Sequence, residues 1–439
     1  MRLRGLGGLV RAAGRVVDTP ACSSRAAQSE EDPMRHVAYA FTIAVLVGCS
    51  NEQQVTQPVG TPAQLASNAQ YQVVKYPSLG GTLSRGMAIN RQGWVAGWSD
   101  QSDGSRRAAL WQGNSILPLG TLGGPSSMVP WPGLNNDGMI VGISHTGEVD
   151  SLDEAWSCEA GLFLVETTNL ICRGFVWANG VMRELPTLGG NHGFAAGINN
   201  RGQVVGWAET AVHDPTCSLA DGQVLQFRAV VWEPKKNKIE KRELRPFPGD
   251  STSAATAIND RGQAVGISGD CDQAVGRFSA VHAVLWDKNG NVTEIPNLGG
   301  ETWHTPMDIN REGDVVGFSN PPGENPLGDF IARAFLWIHG SATATDLSAL
   351  PGDLFSQAFA INSRRQVVGV SFGGLNGSHG FLYENGIMTD LNTLLGTGNG
   401  DIFRSGQDIN DAGQITGRVF DAATGQTLTF VATPVGNTP

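Results

Sequence analysis

Long apolar runs and helical periodicity are what this 439-residue chain has little of. No extended segment places apolar residues at a 3.6-residue spacing, which excludes a core built mainly from helices. The one continuous apolar run, about a dozen residues after Met34, is short for a membrane span. Charged residues make up only 16% of the chain, and acids outnumber bases 41 to 30, a poor match to nucleic acid or to anionic membrane faces. Cysteine is scarce, six in all, with no C-x-x-C or Cys/His spacing, which argues against zinc. There is no G-x-S-x-G elbow, no legible Ser/His/Asp constellation and no complete oxygen-ligand loop for Ca²⁺. Neither a catalytic residue, nor a metal, nor a cofactor is therefore assigned. Glycine is abundant instead, with 58 residues against 22 prolines. With Val, Ile, Thr and Trp in short runs, this predicts an all-β protein of short strands and tight turns.

The N-terminal region reads as a leader. Residues 1–33 precede a second start at Met34 and carry no pattern, as expected of an upstream extension. Residues 34–48 have a basic beginning, a short apolar stretch and small residues before Cys49, the plan of a secretory signal. The L-V-G-C ending resembles the lipobox of bacterial lipoproteins, which implies that Cys49 is lipidated and that the mature chain reaches the membrane only through that anchor. Removing residues 1–48 takes away six arginines and four acids, leaving 24 basic and 37 acidic residues, net −13. Residues 49–70 read as a flexible linker and 435–439 as a tail. Four cysteines remain, and an even number in an exported chain suggests two disulfides among three possible pairings. Cys158 and Cys172 share one long loop, while Cys217 and Cys271 occupy equivalent loops of successive repeats, so Cys158–Cys172 with Cys217–Cys271 is expected.

The stretch TLGGNHGFAAGINNRGQVVGW (187–207) has the glycine density of a phosphate loop, but it recurs. GMAINRQGWVAGW (86–98), PGLNNDGMIVGI (132–143), ATAINDRGQAVGI (255–267), PMDINREGDVVGF (306–318), AFAINSRRQVVGV (358–370) and GQDINDAGQITGR (406–418) are the same motif. Its asparagines are Asn90, Asn135, Asn199, Asn259, Asn310, Asn362 and Asn410, at a period near 50 that marks a propeller or solenoid. Each period supplies four strand-length segments: the run into I-N (a), the Q-V-V-G run (b), an A-F-L-W run (c) and an L-x-x-L-G-G run (d). Units 1 to 6 have all four. Unit 7 has a, b and c, and the missing d stands at the other end of the chain, YQVVKYPSLGG (71–81). That arithmetic predicts a seven-bladed β-propeller of four-stranded antiparallel blades over 71–434, its last blade completed by the N-terminal strand. Closure would also remove exposed sheet edges. The repeated runs resemble the HAF-type extracellular repeat of bacterial exported proteins, and more distantly kelch propellers. The resemblance covers about 71–432 and implies an exported repeat protein without implying an activity.

Within I-N-x-x-G, the Asn is expected to bond its own backbone two residues on, and the Gly to take a positive φ. Arg365 stands at that Gly position in unit 6, so its turn must change conformation or bear strain. The strand-c Trp is expected to anchor neighbouring blades. Function is expected on the face carrying the long b–c connections (144–172, 208–226, 269–280, 320–331) and the d–a loops. Those four connections hold thirteen acids and one base, Arg277. The candidate ligand-binding residues are His192, Trp131, Glu301, Trp303, His304, Asp150, Asp153, Glu154 and Asp214. They suit a binding module at the cell surface or in the periplasm, a monomer taking a protein or glycan partner. The alternative is a polysaccharide hydrolase or lyase using carboxylates of that face.

Overall fold

The Val- and Ile-rich b runs and the A-F-L-W c runs of every repeat form the strands their alternation predicts. The computed structural model describes residues 71–154, 168–217, 223–271, 280–323, 329–375, 377–396 and 398–435. The expected leader, the whole linker with Cys49, Cys158 and all of the tail but Val435 lie outside these residues. Units 2 to 6 each form a four-stranded antiparallel sheet in the order a-b-c-d. In unit 3 these strands are Gly189–Ile198, Val204–His213, Leu225–Pro234 and Ile239–Leu244. Unit 1 begins at Gly80–Ile89, and unit 7 contributes Ile402–Ile409, Ile415–Asp421 and Gln426–Pro434. One parallel pairing, Leu83 with Thr427, joins units 7 and 1 into a single eight-stranded sheet. The strand Tyr71–Lys75 pairs antiparallel with Gln426–Pro434, in the place of the d strand that unit 7 lacks. Among the described residues the five-residue Leu391–Leu395 is the one helix.

The repeat asparagine does more than close its turn. In unit 1 Asn90 Oδ1 accepts from the amides of Gln92 and Trp94, at 3.1 and 3.0 Å. Its Nδ2 donates to the carbonyl of Asn135, the next repeat asparagine, at 3.2 Å. The same bond runs from Asn135 to Asn199, on to Asn259, Asn310, Asn362 and Asn410, at 3.0 to 3.4 Å. Asn410 Nδ2 then donates to the Asn90 carbonyl at 2.9 Å, so the series of seven bonds returns to its origin. All seven asparagines are buried.

The glycine of Q-V-V-G is required by a second close approach. A Cβ on Gly206 would run into the carbonyl oxygen of Phe194 on strand a, and the corresponding glycines of the other units meet the corresponding carbonyls in the same way. Only a residue without a side chain lets strands a and b approach so closely here. In the turns, Gly202 has φ 74° and Arg365 has φ 61°. Arg365 therefore keeps the conformation of the glycines and bears strain of about 1 kcal/mol, while its Nε donates to Asp314 Oδ2 of unit 5 at 2.7 Å.

The core is divided into clusters shared between successive units. Val141, Val176 and Leu185 of unit 2, for example, pack against Ala195, Val204 and Trp232 of unit 3. Three strand-c tryptophans bond across these seams, whereas Trp337 bonds the Ser341 carbonyl of its own unit. Trp232 Nε1 donates to the Pro186 carbonyl of the preceding unit, and Trp286 Nε1 to that of Arg245. At the junction of units 7 and 1, Trp111 Nε1 bonds the Pro77 carbonyl. There Asp408 Oδ2 also accepts the Ile89 amide at 2.7 Å, and Ser84 Oγ accepts the Thr429 amide at 3.0 Å. Burial first, then the charge of Asp308, pushes Asp408 up to about 7.

Replacing Asn199 with Ala removes four hydrogen bonds, three within its turn (Arg201 N, Gln203 N and Gln203 Oε1) and one to the next unit. At about 1 kcal/mol each, the expected loss is roughly 2–4 kcal/mol of unfolding free energy, measurable by urea denaturation. A loss below about 1 kcal/mol would show that the inter-unit bond contributes nothing.

Candidate functional site

Three of the residues singled out in separate parts of the sequence, Asp150, Glu154 and His192, meet where the b–c connection of unit 2 crosses onto unit 3. Asp150 follows the strand Ile140–Val149, and its carboxylate closes a tight turn by accepting the amides of Leu152 and Glu154 at 3.1 and 2.6 Å. It also accepts from Asn191 Nδ2 at 2.7 Å and lies 3.3 Å from His192 Nε2. Burial alone would raise its pKa, but the His192 bond and the two amides outweigh that and hold it well below the usual carboxylate range.

His192 was expected on the loop crossing from unit 2 to unit 3. It lies instead inside strand Gly189–Ile198 and is buried. The antiparallel ladder with strand b begins at Gly189, opposite Thr210, and resumes after a register shift at Gly193, opposite Ala208, so the G-G doublet enters the strand and His192 sits in its irregular first part. His192 Nδ1 accepts the Cys172 amide at 3.2 Å. That amide is fixed by the pairing of Cys172 with His145, so the imidazole carries its proton on Nε2, facing Asp150. Burial lowers the His192 pKa; Asp150, Glu209 and Glu154 together raise it above the ordinary value. Protonating the ring at Nδ1 would break the bond from Cys172.

Two residues not singled out in the sequence complete the group. Glu209 Oε2 accepts the amides of Asn191 and His192 at 2.9 and 2.7 Å, and its Oε1 accepts from Gln223 Nε2 at 3.0 Å. Glu154 Oε1 accepts the amides of Val224 and Leu225 and reaches Gln223 Nε2 at 3.2 Å. Gln223 Nε2 also faces the Leu225 carbonyl at 2.6 Å, so two hydrogens serve three acceptors. Burial, then the neighbouring Glu209 charge, pushes Glu154 up to about 7. Asp150, Glu154 and His192 offer ligand atoms within 4.8 Å of one another. A metal on His192 Nε2 would need the proton on Nδ1, pointing at the Cys172 N–H, so the donor set does not fit a metal in this arrangement.

The remaining candidates separate into two kinds. Asp214 is buried and accepts from Thr216 and from Ser251 Oγ at 2.8 Å, beside the Cys217–Cys271 disulfide, whose Cα atoms are 5.0 Å apart. Cys172 is also disulfide-bonded; Cys158, its expected partner, lies outside the described residues. His304 is buried, with Nδ1 2.8 Å from Ser319 Oγ and Nε2 3.1 Å from the Gly300 carbonyl. Glu301 and Asp153 are exposed. Trp131 and Trp303, 172 positions apart in the chain, belong to one half-buried aromatic group with Phe330 and Phe359, packed on Met307 and Phe318. Trp303 meets Phe330 edge-on at 4.8 Å. Trp131 meets the stacked pair Phe194 and Trp207 edge-on, at 5.2 and 6.1 Å. It follows strand Gly123–Met128 rather than preceding it, so it stands on the inner run of unit 2 and not on a d–a loop.

Ionising a carboxyl whose folded pKa is raised destabilises the fold above its unfolded pKa. Stability attached to Glu154 therefore falls as pH rises from about 4.5 towards about 7, and stays lower beyond it. Glu154→Gln keeps the acceptor oxygen and removes the charge. It is expected to raise the melting temperature at pH 8 and to leave it unchanged at pH 4, as read by calorimetry. An equal shift at both pH values would contradict this.

No family model matches the chain, and no curated protein matches it in sequence. Among solved structures it is similar to a streptogramin B lyase, at 11% identity and TM-score 0.44, over 84% of this chain and 100% of that one. It is likewise similar to a catalytically inactive virginiamycin B lyase from Staphylococcus aureus with quinupristin, at 9% identity and TM-score 0.44, over 83% and 100%. A puromycin hydrolase mutant matches at 12% identity and TM-score 0.44 over 71% of this chain, which spans only 45% of that longer protein. At these identities and scores the likeness carries no argument about activity.

Proposed function

We propose that the chain is an exported, closed seven-bladed β-propeller that acts as a binding module, taking a glycan or protein on the aromatic group around Trp131 and Trp303. The seven-fold round of asparagine bonds supports the blade count and the closure. So does the pairing of Tyr71–Lys75 with Gln426–Pro434, which completes the seventh sheet. The Cys217–Cys271 disulfide is consistent with export, and lipid attachment at Cys49 would hold the propeller to a bacterial outer membrane or cell surface.

One observation carries the binding reading: half-buried aromatic side chains from distant units converge on one spot, while the densest group of titratable side chains is turned inward. Aromatic faces left partly exposed on a rigid frame bind sugar rings and apolar side chains at small entropic cost. Asp150, Glu209 and His192, by contrast, are occupied by amides and by one another, which fastens the unit 2 loop to unit 3. The enzymatic alternative retains one specific support, the Glu154 carboxyl near pH 7 with the Glu209 carboxylate beside it, the type of pair a glycosidase or lyase uses.

Glycan arrays and a turnover screen on polysaccharides separate the two. The binding reading expects saturable binding without turnover, weakened roughly tenfold by Trp303→Ala and unaffected by Glu154→Gln. Turnover abolished by Glu154→Gln would establish the enzymatic reading instead. The anchor is checked by fractionation: the protein should sediment with membranes, and Cys49→Ser should release it.

A further inference from the structure

The cross-strand pair five residues before the repeat asparagine, seven in unit 2, occupies the equivalent place in each unit, and its occupants are informative. In units 2 to 4 the pairs are Met128 with Ile143, Phe194 with Trp207 and Ala254 with Ile267, and these six form one apolar cluster. In unit 1 the pair is Arg85 with Trp98, and in unit 7 it is Ser405 with Arg418. Arg404 precedes Ser405 on the same strand. Units 7 and 1 are neighbours, so Arg85 and the Ser405–Arg418 pair stand in the two units that flank one junction: Gly86 packs against Thr416 and Thr429, and Ser84 accepts the Thr429 amide.

None of Arg85, Arg404 and Arg418 makes a side-chain hydrogen bond or an ion pair among the described residues. The side chains as wholes are only half-buried, yet the Nε atoms of Arg85 and Arg418 are fully enclosed and unpartnered. Ser405 Oγ and Gln407 Nε2, from the same strand, are enclosed and unpartnered as well. The acids of these strands are engaged elsewhere. Asp100 holds Arg106 at 2.8 Å, whose guanidinium lies 3.5 Å above the Trp98 ring. Asp401 and Asp421 are both held by Lys75. Burial first, then the charges of Arg418 and Arg106, pushes the Arg85 pKa well below its ordinary value, and burial followed by Arg404 lowers that of Arg418. The guanidinium groups thus feel each other and no compensating carboxylate. Enclosed, unpaired charges of one sign are costly, and an anion is what would offset them.

We propose that Arg85, Arg404 and Arg418, with Ser405 and Gln407, form a binding site for a doubly charged tetrahedral oxyanion, phosphate or sulfate, free or carried as an ester. Arginine forks match such oxygens in pairs, and the hydroxyl and amide supply further donors. A single carboxylate would leave more than one guanidinium uncompensated. The site stands independently of the aromatic reading, since its residues and its probe are different.

The test is thermal unfolding of the full chain in low-salt buffer titrated with inorganic phosphate, inorganic sulfate or chloride at matched ionic strength, with glucose 6-phosphate and glucose 6-sulfate as ester arms. A saturable rise in melting temperature with phosphate or sulfate, absent with chloride, is expected. A larger rise with an ester than with the free ion assigns the site to an esterified ligand, and equal rises assign it to the free ion. Arg418→Met should abolish the rise and, because it removes an uncompensated charge, should melt no lower than the wild type in anion-free buffer. A merely structural arginine would melt lower. Arg404→Met, at the more open position, provides the same readout should Arg418→Met fail to fold. No saturable rise, an equal rise with chloride, or a rise that survives both substitutions would overturn the site.

Discussion

The structure depends on a side-chain amide bonded to the next copy of its own backbone. Each repeat asparagine uses its oxygen to close its turn and its Nδ2 to reach the following asparagine's carbonyl. One residue thereby sets both the local hairpin and the step from sheet to sheet. Because both bonds are buried, losing either leaves a polar group without a partner, which costs more than the bond itself contributes. The Q-V-V-G glycine complements this by letting strands a and b approach until their backbones touch. The spacing of 45 to 64 residues between asparagines then becomes unimportant, since insertions are absorbed by the b–c connections without disturbing the inner contacts.

Much of this was legible in the sequence because it repeats. The four strands, their order, the missing d strand of unit 7 and its counterpart at 71–81 all follow from comparing the repeats. The turn role of Asn90 and the anchoring role of Trp232 followed from residue type and position. The inter-unit bond did not, because a turn-forming Asn and a bridging Asn look alike in sequence. His192 was placed on a loop because a G-G doublet suggests a turn, whereas the ladder with strand b begins at Gly189, before it. Arg365 shows the reverse case, in which tertiary context imposes a glycine conformation on another residue.

The site was legible in part. Asp150, Glu154 and His192 were picked out as exposed acids and a loop histidine, yet they are enclosed. Their enclosure depends on Glu209 and Gln223, which nothing in a single sequence links to them. The arginine group left a clearer signal at Arg418: the b run of unit 7 ends G-Q-I-T-G-R where the other units have Trp, Ile, Phe or Val. In a repeat protein, a charged residue at a position that is apolar in the other copies is a departure that packing does not explain.

The claim on which the rest turns is that the ring is closed by the N-terminal strand. Native-state hydrogen exchange on the full chain tests it directly. If the account holds, the hydrogen-bonded amides of Tyr71–Lys75 exchange as slowly as those of Ile415–Asp421, because both are released only when the ring opens. Exchange of Tyr71–Lys75 at the rate of a frayed edge strand, while Ile415–Asp421 stays protected, would contradict it.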